Sequence, residues 1–331
     1  MDQPNHSPLK WEGLPEAEAI PVLGDLSTTN VPLPVAAEGR DEEDQPPRVL
    51  LPSFLFVATC FTTFWAGSVM SSMGGGIPGA NFAWWQDALI YMSAVMGILL
   101  AHEMGHFIQA VRYGVPASLP FFIPMPAVFT PTIGTMGAVI GLQGMQANRK
   151  ELFDIGLTGP IAGLVVALPV TAAGILLGEA YVPVPGALYY NYADPLVVQW
   201  MISWLRPDIV GGNLNLNPLL LAGWVGMLIT GLNMLPVSQL DGGHVIYALF
   251  GQKSYYIARA FICAAIAFIV ISNQLNWIVM LVLVMMIGIE HPPTSDDTVS
   301  LGWFRRLVGY CSLAIPVLCF SPIPFSAGVT H

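Results

Sequence analysis

Seven stretches of this chain carry runs of mainly apolar residues of about the length needed to cross a bilayer, near 50–68, 87–111, 153–178, 214–235, 256–273, 275–290 and 303–322. A span needs about twenty such residues, because hydrocarbon offers no partner to backbone N–H and C=O groups except those inside a helix. Composition agrees with this reading. Of the 331 residues 54% are hydrophobic and 10% charged, too few charges to cover a soluble surface. The gap at Ser272–Gln274 is short, so six spans stand as an alternative to seven.

Positive charges give an independent check. With residues 1–49 on the cytoplasmic side and alternation at each span, that side receives Lys10, Arg40, Arg48, Arg112, Arg149, Lys150, Lys253, Arg259, Arg305 and Arg306. Arg206 alone falls on the other side. Such an asymmetry is what the positive-inside rule predicts. The expected fold class is therefore an all-α polytopic membrane protein of six to seven transmembrane helices, in contact with lipid.

Three regions flank or interrupt the spans. Residues 1–49 hold ten Asp or Glu against three Lys or Arg and many prolines, a composition expected to form a disordered, acidic cytoplasmic tail. They lack the basic start and apolar run of a signal peptide. Residues 323–331 form a C-terminal tail, leaving 50–322 as the membrane domain. Residues 114–148 carry no Asp, Glu, Lys or Arg, yet hold five prolines and several glycines. That stretch is too broken for a helix and too apolar for a solvated loop, so it is expected to be a short, partly extended re-entrant segment. The segment 179–213 is the longest outward loop. No basic patch suggests nucleic acid. Cys60, Cys263, Cys311 and Cys319 form no C-x-x-C pair and read as buried small hydrophobes.

The chemistry concentrates in two places. His102-Glu103-Met104-Gly105-His106 is an H-E-x-x-H pentapeptide near the cytoplasmic end of the second span. Positions i and i+4 project from one helix face, so both imidazoles can grip one Zn²⁺, with Glu103 placed as general base. Ionisable side chains at membrane depth cost about 2.5–3.5 kcal/mol each on insertion scales, which makes a purposeless cluster improbable. A catalytic zinc keeps three protein ligands and one open position. Asp241 is the candidate third ligand: Pro236 ends the fourth span, and Gly242-Gly243 let the chain turn back toward the histidines. His244 stands three residues further on as a possible substitute. Glu151 and Asp154 suit a helix N-terminus, and Glu290 and His291 an interface.

H-E-x-x-H on an early span and Asn233-x-x-Pro236-x-x-x-x-Asp241-Gly242-Gly243 on a later one together resemble the site-2 protease family of intramembrane zinc metalloproteases. Gly156-Leu157-Thr158-Gly159-Pro160, Asn217-Pro218, Ala222-Gly223-Trp224 and His291-Pro292-Pro293-Thr294 extend the likeness over roughly 87–294. It is most similar to the branch without a PDZ domain found in cyanobacteria, plastids and related bacteria. The resemblance implies one Zn²⁺ on His102, His106 and Asp241, water activation by Glu103, and a role for Asn233 in orienting substrate or stabilising an oxyanion. It implies a transmembrane protein substrate and a bacterial inner or thylakoid-type membrane, with the active-site side cytoplasmic. The competing class is a zinc-binding membrane protein without protease activity, a transporter or a silent relative. Substrate identity and oligomeric state are not encoded in these motifs.

Overall fold

The computed structural model describes residues 49–77, 79, 82–126, 133–142, 146–180, 188–209, 214–237, 239–273, 277–288, 291–321 and 325–329. The acidic segment 1–48, Glu290 and Ser238 lie outside the described residues. The helices run in chain order as α1 (Leu50–Ser72), α2 (Trp84–Tyr113), α3 (Arg149–Leu177), α4 (Leu196–Leu205), α5 (Pro218–Asn233), α6 (Asp241–Phe250), α7 (Ser254–Ser272), α8 (Ile278–Ile287), α9 (Gly302–Ser312) and α10 (Ile315–Cys319). Strands β1 (Phe121–Pro124) and β2 (Thr135–Val139) pair antiparallel, as do β3 (Leu188–Tyr192) and β4 (Phe325–Val329).

Among the described residues, four helical runs are long and apolar enough to cross a membrane: α1, α2, α3 and the run Asp241–Ser272, in which one 3₁₀ turn joins α6 to α7. These match four of the seven expected stretches. The expected span at 214–235 contains the 16-residue α5, and the last expected span is divided between α9 and α10. Outward faces remain apolar, as lipid contact requires: Leu50, Val57 and Phe61 on α1 and Val270 and Ile271 on α7 are exposed. Helix α5 is the opposite case. Pro218, the run Leu220–Gly231 and hence most of its length are buried, with Trp224 and Leu221 in the core shared by α1 and α2.

Local sequence sets the helix ends near the site. Gly114 takes the left-handed conformation (φ 67°) that stops α2. Asn148 caps α3 by accepting from the N–H groups of Lys150 and Glu151, while Glu151 accepts from the Asn148 N–H in return. Asp154, read from sequence as a helix-start charge, instead receives a two-pronged bond from Arg305 (2.8 and 2.9 Å) and the Tyr113 hydroxyl (2.5 Å), tying α2, α3 and α9 together.

The described part of the 114–148 segment holds the two short strands β1 and β2. The β1–β2 pair is fixed to α1 and α2: Thr62 donates to the Gly134 carbonyl at 2.7 Å and Tyr91 to that of Ile133 at 2.8 Å. The β3–β4 pair, joining the long 180s loop to the C-terminal tail, has no counterpart in the sequence reading. The thiols are free, but Cys263 and Cys311 are exposed and only Cys319 is buried, so burial holds for one of the four and in part for Cys60.

Candidate metal centre

His102, Glu103 and His106 sit on the inward face of α2, each at most 5% exposed. This burial is possible because α3 crosses α2 at residues without side chains. A Cβ at Gly159 would collide with the His106 imidazole, and one at Gly163 would lie 3.0 Å from His102 Nδ1. Asp241 arrives from the other direction. α5 ends at Asn233, the chain turns through Met234–Leu240, and Asp241 opens α6. Gly242 is required by the tightness of this turn, since any Cβ there would strike the Met234 carbonyl.

These elements bring three side chains to one point. Asp241 Oδ2 lies 3.1 Å from His102 Nε2, and Oδ1 lies 3.3 Å from His106 Nε2. The ligand atoms of the three all fall within 4.8 Å of one another, forming a possible metal-binding site. Hydrogen bonding shows that the set suits a cation. His106 Nδ1 lies 2.7 Å from the Ile155 carbonyl, which can only accept, so Nδ1 carries the proton. In the neutral ring Nε2 is then a lone pair, and it faces a carboxylate oxygen. Two electron-rich atoms at that distance call for a positive charge between them. Ligands on a tetrahedral Zn²⁺ at about 2.1 Å stand about 3.4 Å apart, close to the separations found here. The Ile155 carbonyl also holds the ring in one orientation, as the outer hydrogen bond of a metal-ligating imidazole commonly does.

Around the triad lies an open cavity of about 100 Å³. Its lining includes Glu103, His106, Asn233, Asp241 and His244 together with Ala138, Val139, Ile140 and Leu142, in and beyond β2. Of the five residues singled out from the sequence, Glu103, His106, Asn233 and Asp241 line the cavity, and His102 adjoins it through Asp241 and Asn233. Asn233 Nδ2 lies 3.4 Å from His102 Nε2, close enough for its amide to face the same centre. His244 is not among the three converging side chains; its Nδ1 is engaged at 2.6 Å by Nε2 of His291. That partnership was missed from the sequence, which placed His291 simply at an interface. The H-P-P-T string was the available signal.

A buried H-E-x-x-H helix, a carboxylate brought beside it from the start of a later helix and an apolar helical bundle fit the scaffold of a membrane metallopeptidase. Residues 90–273 match the model of peptidase family M50, and the chain belongs to that family. It is 31% identical over 245 residues to the probable zinc metalloprotease EGY1, chloroplastic, of Arabidopsis thaliana, covering 71% of this chain and 43% of that protein. The rice (Oryza sativa subsp. japonica) EGY1 is 29% identical over 72% of this chain and 41% of its own length. Arabidopsis EGY2, likewise named a probable zinc metalloprotease, is 27% identical over 76% and 42%. The chain thus spans about two fifths of the length of these relatives.

Proposed function

We propose that this protein is a zinc metalloendopeptidase that hydrolyses peptide bonds within membrane-spanning segments of other proteins. The observation that carries the reading is the convergence of His102, His106 and Asp241 beside the buried carboxyl of Glu103, at a cavity lined in part by strand β2. The relatives' names and the family support zinc and peptide hydrolysis.

Zinc held by the three side chains supplies Lewis acidity toward a carbonyl and toward water. The remaining work belongs to the chain. Glu103 takes the proton from the attacking water and returns it to the leaving amine. Asn233, with its amide N–H aimed into the centre, steadies the developing oxyanion. Ile155 holds His106 in the tautomer whose Nε2 can ligate. A helix is about 10–12 Å across, too wide for a cavity this small, so the substrate must enter unwound. The edge of β2 away from β1 offers ladder hydrogen bonds to such an extended strand.

In this reading residues 50–322 make up the membrane domain, with 1–49 and 323–331 as tails, and the catalytic core falls within 87–294. A seven-span arrangement puts the metal end on the cytoplasmic side of a bacterial inner or thylakoid-type membrane. The β3–β4 pairing supports seven over six, because it joins the third inter-span loop to the C-terminal tail, and both fall on one side only if an even number of crossings separates them.

The test is zinc content and cleavage of a single-span reporter by the purified chain in detergent. One zinc per chain with a cut inside the span is expected. Zinc without cleavage under any condition would favour the non-proteolytic alternative.

A further inference from the structure

His244 faces the cavity but does not join the metal ligands, and its surroundings fix what it can offer. His291 Nδ1 lies 2.5 Å from the Pro292 carbonyl. A carbonyl only accepts, so His291 carries its proton on Nδ1. Burial pushes the His291 pKa down, which favours the neutral ring. Its Nε2 is then an acceptor, and the 2.6 Å contact requires His244 to donate from Nδ1. Neutral His244 is left with a lone pair on Nε2, an atom without a hydrogen-bond partner among the described residues.

The scaffold holds this arrangement firmly. The His244 Cβ rests against Gly156 of α3, where an added Cβ would come within 2.8 Å. The His291 ring stacks on Tyr247 at 4.4 Å, and the Tyr247 hydroxyl donates to Asp297 at 2.8 Å. Segment 294–297 is tied to the start of α3, with Ser295 N–H donating to the Ala147 carbonyl and Arg149 N–H to that of Asp296.

An extended peptide lying along β2 satisfies one of its two hydrogen-bonding edges there. The other edge turns to the rest of the cavity lining, which includes His244 and where little water is available to satisfy it. We propose that His244 is a substrate-binding residue whose Nε2 accepts a hydrogen bond from a backbone N–H on that second edge, with His291 as the positioning residue that sets its tautomer. The ligand class is the main chain of an unwound transmembrane segment, so recognition here is independent of side-chain sequence. The inference rests on the peptidase reading above and deepens it.

The experiment measures zinc content, kcat and KM for a single-span reporter, and the Kd of the same fluorescent peptide on chains carrying Glu103→Gln. His244→Phe should keep one zinc, raise KM and Kd about tenfold, the worth of one hydrogen bond at the upper end of the usual range, and leave kcat nearly unchanged. His244→Gln should recover most of the binding, because its amide oxygen reaches the place of Nε2. His244→Asn, whose amide stops at the place of Nδ1, should bind like the Phe variant. His291→Phe should show a smaller loss in the same direction. Unchanged KM and Kd in both His244→Phe and His244→Asn would overturn the proposal, as would loss of zinc in either. Should the parent chain cut no reporter, the peptidase reading fails by itself, while the binding series still decides the role of His244.

Discussion

Two histidine pairs stand side by side in this molecule and end up with different work. His102 and His106 come from one helix, one turn apart, and their Nε2 atoms both face Asp241. His244 and His291 come from segments 47 residues apart and bond to each other. In each pair a backbone carbonyl fixes a proton on one Nδ1, Ile155 for His106 and Pro292 for His291. What differs is the group met by the opposite nitrogen. Facing a carboxylate it completes a possible metal-binding set; facing another imidazole it bonds to a neighbouring ring. The lesson is that a histidine's function is set by its second nitrogen's partner as much as by its position near a metal.

The comparison breaks most directly at Asp241. Asp241→Asn keeps the volume and removes the charge, and should lose most bound zinc and all measurable cleavage. If zinc stayed at full stoichiometry, the distinction between ligating and non-ligating pairs would collapse, and His244 would be the better third ligand. Zinc analysis and the reporter assay together decide this.

Glu103→Gln sharpens the boundary from within the first pair. A base that does not ligate can be neutralised without loss of metal, so zinc should remain while the rate falls about 10²–10⁴-fold. Zinc loss on this change would make Glu103 a ligand instead.

A smaller effect is expected at Gly159. Its Cβ would collide with the His106 ring, so Gly159→Ala should weaken zinc binding about 10–100-fold, the cost commonly seen when a ligand's support is disturbed, while peptide binding at His244 changes little. Chelator competition reads the first and fluorescence anisotropy the second. Equal loss in both would mean that the two pairs are mechanically one unit.

Much of the first pair was legible in the sequence because its information is local. Four-residue spacing puts His102 and His106 on one face, and Pro236 with Gly242 encodes the break that delivers Asp241. The second pair is a long-range coincidence. Nothing in the spacing of His244 and His291 says that α6 and the chain after α8 meet, and a tautomer is written in neighbours, not in sequence. Spans were readable from hydropathy as far as length went, but hydropathy cannot see enclosure. That is why the stretch at 214–235 looked like any other span, and why α9 and α10 read as one helix despite Pro316. The β3–β4 ladder escaped notice for the same reason: backbone pairing between distant segments leaves no periodic mark.

Enclosure has a further consequence for α5. A helix that touches lipid must match the hydrocarbon thickness, about 30 Å, or deform its surroundings. Sixteen residues rise only about 24 Å, yet α5 is wrapped by protein along most of its length and is therefore exempt from that matching. Its last turn can stop wherever the carboxylate is wanted. The depth of Asp241 is then a property of residue count: one residue inserted before Asn233 would advance the turn by about 1.5 Å and swing it by about 100°, carrying the carboxylate out of phase with the two imidazoles. The length of α5 works as a spacer gauge, cut to the cluster of His102, His106 and Asp241 and not to the membrane.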